Sequence, residues 1–142
     1  MLTLDQARLI VTAALEHARA RSYPPMTVAV LDAAANLVAF EREDHSSLLR
    51  ERIARGKAHG ALNMGTGSRT LAARAAAHPQ FIDSLVAMSG GMLVPVPGGV
   101  LIRDAHGDII GAVGVSGHLP DDDEECAVNG VEAASLSADP GA

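Results

Sequence analysis

Apolar residues recur at helical spacing near the start of the chain, at Leu4, Ala7, Val11, Ala14, Leu15 and Ala18. This spacing predicts an amphipathic helix from Thr3 to about Arg21. Thr3 and Gln6 have the spacing of a capping box, in which each side chain satisfies a free backbone donor of the first turn. Pro24 and Pro25 then end the helix, because the residue before a proline disfavours helical geometry.

Two short runs rich in β-forming residues follow, MTVAVLD at 26–32 and LVAFE at 37–41. Only the four residues 33–36 join them, which is too short for a parallel crossover. The pattern therefore predicts an antiparallel hairpin, with Asn36 as the residue that best tolerates a left-handed backbone.

A second helix is expected to run to about Met64, capped by Ser46 or Ser47. Its inward positions recur every four residues, at Leu49, Ile53, Lys57 and Ala61. Two shorter helices are predicted over about 69–78 and 80–88.

Glycine and proline divide the second half of the chain into short elements. Met92–Val96 is predicted to be a short strand, at a sheet edge because Pro95 cannot donate to a ladder. Val100–Arg103 and Ile109–Val115 are predicted to form a second hairpin. A final helix should cover about Pro120–Ser135, and the last residues, ADPGA, should fray.

The resulting order is helix, two strands, three helices, three strands, helix. Because both strand groups are connected as hairpins, the sheet should be mainly antiparallel, with the helices covering its apolar faces. The expected fold is an α+β member of the broad α/β class, formed by a single domain over residues 1–142.

The composition points to a core of small side chains. Aromatic residues make up 2% of the chain, namely Tyr23, Phe40 and Phe81, and there is no Trp. Small side chains bury less area per residue, so a subunit interface is a plausible source of additional stability.

Charge and cysteine content exclude several classes of protein. The formal net charge is −6 and no run of Lys or Arg offers a phosphate-binding footprint, so we expect no nucleic-acid partner. No stretch is long and apolar enough for a membrane span, and the N-terminus does not read as a signal peptide. The single cysteine, Cys126, cannot form an internal disulfide, which favours the reducing cytoplasm.

Three segments together resemble the GlcG/HbpS-like family, also described as the haem-degrading-domain or PduO C-terminal-like group. They are VAVLDAAANLVAFERED at 28–44, GKAHGALNMGTGSRTLA at 56–72 and VPVPGGVLIRDAHGDIIGAVGVSGHLPDDDEECAVNG at 94–130. The resemblance implies a profilin-like or PAS-like antiparallel sheet of about five strands with helices packed on it. It also implies homo-oligomers, dimers or larger and up to an octamer, and links the chain to haem binding or to enzymatic roles on small keto or unsaturated acids.

The charged residues around the second helix are the first candidates for chemistry. Lys57 falls inside an apolar series, so it either serves a pocket or packs its stem with a paired head. Arg42 could hold a carboxylate and Asp44 could act as a base, or both could belong to a solvated loop. In the enzymatic hypothesis, an isomerase, tautomerase or lyase, Lys57 and Asp44 move protons and Arg42 anchors the substrate.

Further ligand contacts are expected around the second hairpin. The N–H groups of Gly98 and Gly99 could hold an oxyanion, although the turn alone could demand glycine. Ser116 and His118 follow the last long strand and could contact a ligand or simply lie in an exposed loop. Asp123 matches a recurrent acid of the family, while acids in a first helical turn also complement the helix dipole.

Haem is the specific cofactor hypothesis. Its iron needs an axial ligand, and the candidates are His17, on the flank of the first helix, His45 and His118. The shortage of aromatic residues to line a porphyrin counts against haem. Three hypotheses thus stand: an oligomeric module that binds a small molecule, an enzyme acting on a small carboxylic acid, and a structural oligomer without a ligand.

Overall fold

A computed structural model describes residues 1–142 as a five-stranded antiparallel sheet with five helices. The helices are α1 (Leu4–Ala20), α2 (Arg50–Met64), α3 (Ser68–Ala77), α4 (Pro79–Met88) and α5 (Pro120–Ala133). The strands are β1 (Thr27–Asp32), β2 (Leu37–Arg42), β3 (Gly99–Arg103), β4 (Ile109–Ser116) and β5 (Ser137–Asp139). The predicted α+β fold is confirmed, and no helix is both long and apolar enough to cross a membrane.

The sheet separates two apolar layers. Side chains alternate along β1, so Val28 and Val30 face α1 and α5, whereas Leu31 faces α2. Helix α2 lies directly on β4, because a Cβ at Gly114 would come within 1.8 Å of the carbonyl oxygen of Ala54. This close approach brings the inward residues of α2 against the sheet backbone.

The strand order is β2-β1-β4-β3-β5. Thr27 pairs with both Arg42 and Ser116, and Gly99 pairs with Gly114 near the end of β4. The last residues of β2 and β4 and the first residues of β1 and β3 therefore meet at one end of the sheet. We call it the Ser116 end.

The capping box of α1 is confirmed: the Thr3 hydroxyl accepts from the Gln6 N–H at 3.1 Å, and the Gln6 side chain accepts from the Thr3 N–H at 3.0 Å. The predicted cap of α2 is wrong. The helix begins at Arg50 without a side-chain cap, and the buried Ser46 hydroxyl donates to the carbonyl of Met26 instead.

The first hairpin is confirmed, but its left-handed residue is Ala35, with φ 64°, and not Asn36. The carboxylate of Asp32 accepts from the N–H groups of Ala34 and Asn36 at 3.0 and 2.9 Å. These two bonds fix the turn conformation, so the preference of an individual residue does not decide it.

The predicted strand Met92–Val96 is wrong. The Val94 N–H donates to the carbonyl of Gly56 in α2, and Leu93 packs with Leu71 and Ile82 of the neighbouring helices. The segment therefore lies along the helices instead of pairing with the sheet.

The predicted fraying of the last residues is also wrong. They include the end of β5, in which Asp139 pairs with Leu101 of β3 and forms an ion pair with Arg103 at 2.9 Å. The carbonyl of Pro140 then accepts from the Arg69 N–H at 3.2 Å. The tail thus covers both an edge of the sheet and the start of α3.

Candidate functional site

A buried ion pair lies at the Ser116 end of the sheet. Only 2% of the Lys57 side chain and 1% of the Asp123 side chain are exposed, and Nζ of Lys57 lies 3.0 Å from Oδ2 of Asp123. The same ammonium donates to the carbonyl of Val115 at 2.9 Å. The helical period of α2 turns Lys57 inward as the sequence indicated, and its charge meets an acid from α5.

Burial acts on both members of the pair. Burial lowers the pKa of Lys57, and the attraction of Asp123 opposes that shift. Burial likewise raises the pKa of Asp123, opposed by Lys57 and by the backbone N–H of His118, which donates to Oδ1 at 2.9 Å. Each partner therefore offsets only part of the desolvation cost of the other's charge.

The glycine turn lies against this lysine. Gly98 has φ +123°, and a Cβ there would come within 2.8 Å of Nζ of Lys57. A Cβ at Gly99 would lie 2.3 Å from the carbonyl oxygen of Lys57. Close approach of α2 therefore requires glycine at both positions.

The two glycine N–H groups differ in availability. The Gly99 N–H donates to the hydroxyl of Ser68 at 2.7 Å, so it is not free to hold an oxyanion as the sequence suggested. The N–H of the buried Gly98 has no acceptor within the chain. Only one of the two expected donors thus remains for a ligand.

Ser116 is fully buried, and its hydroxyl accepts from Nη1 of Arg50 at 3.1 Å. The sequence analysis did not name Arg50. Its position seven residues before Lys57, two turns along the same helix, was a signal that could have identified it.

The loop after β2 does not join this pair. Arg42 donates to the carbonyl of Ser46, whereas Asp44 forms no hydrogen bond or ion pair and so does not contact Lys57. His45 is exposed and has φ 71°. Arg42 and Asp44 instead border a surface depression of about 520 Å³, together with Arg19 and Glu43 of neighbouring elements.

The other two candidate axial ligands, His17 and His118, each lie next to an acid of α5. Nε2 of His17 is buried 3.3 Å from Oε1 of Glu125, but not aligned for a hydrogen bond. Nε2 of His118 lies 3.4 Å from Asp122, and its ring centroid lies 5.1 Å from that of Tyr23. No group of three or more His, Cys, Asp or Glu side chains is arranged to hold a metal ion.

The acidic run that opens α5 is used almost entirely in pairing. Asp121 and Glu124 both bind Arg69, and the Tyr23 hydroxyl donates to Glu125 at 2.8 Å. Asp121 and Glu124 thus tie α5 to α3, and Asp123 ties it to α2. Only the helix dipole was apparent from the sequence, because the partners come from distant segments.

The family model described as "Haem degrading protein HbpS-like" matches residues 2–132. A search of the curated proteins found no match. Among solved structures, the chain is similar to PduOC in its haem complex, with a TM-score of 0.86, 24% identity and 96% of each chain covered. It is also similar to ORFY of Klebsiella pneumoniae, with a TM-score of 0.84, 23% identity and coverage of 94% of this chain and 90% of that chain.

The structure of HbpS gives a TM-score of 0.79 at 27% identity, covering 92% of this chain and 88% of that one. The antiparallel sheet with packed helices that the resemblance implied therefore agrees with the fold of these neighbours. Since the family model covers almost the whole chain, and the fold agrees throughout, the protein belongs to the haem-degrading-protein HbpS-like family.

Proposed function

We propose that the protein binds haem and that His17 is the axial ligand of the iron. The observation that carries the proposal is the Nε2 atom of His17, which is buried and makes no aligned hydrogen bond, its nearest acid being Glu125 at 3.3 Å. A buried polar atom without a partner is unfavourable, and engagement by a metal would relieve it. Histidine is a common axial ligand of haem iron.

Charged side chains lie next to His17. Glu125 lies beside the ring, and Tyr23 and Arg21 hold that carboxylate at 2.8 and 2.9 Å. Glu125 faces Nε2 itself, the nitrogen that would bind the iron, so this carboxylate would have to turn aside on haem binding. Arg19 and Arg21 at the end of α1 carry guanidinium groups of the kind that bind propionates, although Arg19 is paired with Glu43 and Arg21 with Glu125 in this structure. Bound haem would supply a redox-active iron.

The family supports the same ligand. PduOC, which shares this fold over 96% of the chain, has been solved as a haem complex, and HbpS gives its name to the family. These likenesses support the fold, and the buried Nε2 of His17, which makes no aligned hydrogen bond, is the reason for choosing this side chain over His45 and His118.

The test is a titration with haemin, followed by the Soret band. We expect wild type and the matched control His106→Ala, which changes an exposed turn histidine, to bind equally. His17→Ala should bind at least ten-fold more weakly while retaining its melting temperature. Unchanged binding by His17→Ala, with loss in His45→Ala or His118→Ala, would reject the assigned ligand.

We infer further that the chain forms homo-oligomers, dimers or larger and up to an octamer. Helix α4 packs mainly against α3 and leaves large apolar side chains uncovered, with Phe81 56% and Met88 80% exposed. Native mass spectrometry should show an oligomer for wild type and smaller species for the double variant Phe81→Ser/Met88→Ser. A monomeric wild type would contradict the inference.

A second candidate function is an isomerase, tautomerase or lyase acting on a small keto or unsaturated acid. The buried Lys57 favours it, because desolvation lowers its pKa and brings the amine closer to use as an acid or base. Asp123, rather than Asp44, is the carboxylate within reach. Turnover of 2-keto acids that is lost in Lys57→Met but retained in Asp44→Asn would support this function.

We assign the protein to the cytoplasm. Cys126 is the only cysteine and is buried, and burial raises the pKa of its thiol to about 12. An inert single thiol fits a reducing compartment.

A further inference from the structure

Two cations share one acid at the Ser116 end of the sheet. Arg50 and Lys57 lie two turns apart on α2, and their side chains reach consecutive residues of β4, Ser116 and Val115. Asp123 is the only acid paired with either of them, since Arg50 has no carboxylate partner. The group therefore carries one excess positive charge, with Lys57 buried and Arg50 half-buried.

An excess charge of this kind calls for a counter-ion. Moving a cation out of water is costly unless an anion or a set of acceptors replaces the lost hydration. Arg50 is half-buried, and the only hydrogen-bond partner of its side chain is the neutral hydroxyl of Ser116. The protein supplies the cations and leaves the anion to another molecule.

Unused donors accompany the excess charge. An arginine has five N–H donors, of which Arg50 uses one, and a lysine ammonium has three, of which Lys57 uses two. The N–H of the buried Gly98 has no acceptor in the chain. These donors belong to adjoining groups, because the position of a Cβ on Gly98 lies 2.8 Å from Nζ of Lys57.

We propose that Arg50, Lys57, Gly98 and Ser116 form a binding site for a small monocarboxylate, which we call the basic recess. The planar guanidinium of Arg50 would take the two carboxylate oxygens in a bidentate pair, a geometry that a carboxylate matches and a halide does not. The one excess charge selects a monoanion. The recess is distinct from His17 and does not depend on haem binding.

The side-chain-free turn brings the Gly98 N–H next to the lysine. A Cβ at Gly98 would lie 2.8 Å from Nζ of Lys57 and 2.9 Å from the carbonyl oxygen of Val115, which is closer than packing allows. Only glycine therefore lets the turn approach the ammonium this closely, and an anion would have to reach these donors from the side of the half-buried Arg50.

The test is an NMR titration of the full chain with sodium acetate, with sodium chloride at equal ionic strength as the reference. We expect the Gly98 amide resonance to shift saturably with acetate, with a dissociation constant on the order of 1 mM. Chloride should leave that resonance unshifted. A parallel titration with inorganic phosphate distinguishes a carboxylate site from a general oxyanion site, because a site selective for carboxylate should bind phosphate more weakly than acetate.

Matched variants of α2 assign the effect to Arg50. Arg50→Gln should weaken acetate binding at least ten-fold, whereas Arg52→Gln, the same charge change at an exposed position of the same helix, should bind as wild type does. Arg50→Lys keeps the charge but not the fork, and should fall between them. Equal binding by Arg50→Gln and Arg52→Gln, phosphate binding tighter than acetate, or no saturable shift at Gly98 in the wild type would overturn the proposal.

Discussion

Two charged residues near the Ser116 end of the sheet, Lys57 and Asp44, lie in different environments. Lys57 is buried against Asp123 at 3.0 Å, whereas Asp44, on the loop after β2, is exposed and makes no ion pair. The sequence analysis named both residues as candidates for proton transfer. The difference shows that a charge placed inside a helical apolar period is held by the fold, while a charge in a polar loop stays with water.

The largest expected effect comes from removing the buried cation. Lys57→Met leaves Asp123 buried without its partner, and losing one member of a buried ion pair costs about 3–5 kcal/mol in the free energy of unfolding. Urea denaturation at pH 7 measures the change. Asp44→Asn is the matched control and should change that free energy by less than about 0.5 kcal/mol, as expected at an exposed surface position. Similar values for the two variants would remove the distinction.

The glycine turn should give the next largest effect. Gly98→Ala forces a Cβ to within 2.8 Å of Nζ of Lys57 and places alanine at φ +123°. We expect a loss of about 2–3 kcal/mol, the sum of overpacking and backbone strain. Gly107→Ala has a similar backbone requirement, φ +83°, but nothing within 4 Å of the added Cβ. It should cost about 1 kcal/mol, and a cost equal to that of Gly98→Ala would show that contact with Lys57 does not matter.

Removing the partly exposed ion pair between Arg69 and Glu124 should lower the free energy of unfolding by less than the Gly98 substitution does. Arg69 binds Glu124 through Nε at 2.9 Å while 38% of its side chain remains exposed. Arg69→Gln should therefore lower the free energy of unfolding by about 1 kcal/mol, and 1 M NaCl should reduce the difference from wild type. A salt-independent loss would place this pair with the buried one.

The smallest effect concerns pH dependence in a surface turn. Backbone N–H bonds from Asp108 and His106 lower the pKa of Asp104 below its usual value of 3.8. A carboxyl with a lowered folded-state pKa binds fewer protons when folded. Its stabilisation is thus present above pH 3.8 and is lost as the pH falls through the folded pKa.

Melting temperatures of Asp104→Asn and wild type should therefore differ at pH 6 and converge toward pH 2. Asp83→Asn, at an exposed helical position without hydrogen bonds, is the control and should match wild type throughout. A difference between Asp104→Asn and wild type that grows in acid would contradict the sign of this contribution.

The parts of the fold that were predicted correctly follow from local sequence patterns. The capping box of Thr3, the two hairpins and the inward direction of Lys57 each depend on residues close in sequence. The same patterns could not identify β5, because its pairing with β3 joins segments more than 30 residues apart. They also could not show that Val94 binds α2 instead of a strand.

The candidate site likewise contains residues that the sequence indicated and contacts that it could not indicate. The sequence named Lys57, Gly98, Ser116 and Asp123 as separate candidates, and the structure brings them to the Ser116 end of the sheet. It could not supply the specific partners: Asp123 for Lys57, and Ser68 for the N–H of Gly99. Such pairings depend on how α2, α3 and α5 pack around the Ser116 end, which no single segment encodes.

The most direct test of the account is a double-mutant cycle between Lys57 and Asp123, measured by urea denaturation of Lys57→Met, Asp123→Leu and the double variant. If the two side chains form a buried pair, the losses in the free energy of unfolding of the two single variants should sum to about 2 kcal/mol or more above the loss of the double variant. The reason is that each single variant leaves one buried charge unpaired, whereas the double variant leaves none. Losses that add to within about 0.5 kcal/mol would show that the pair does not hold this end of the sheet together.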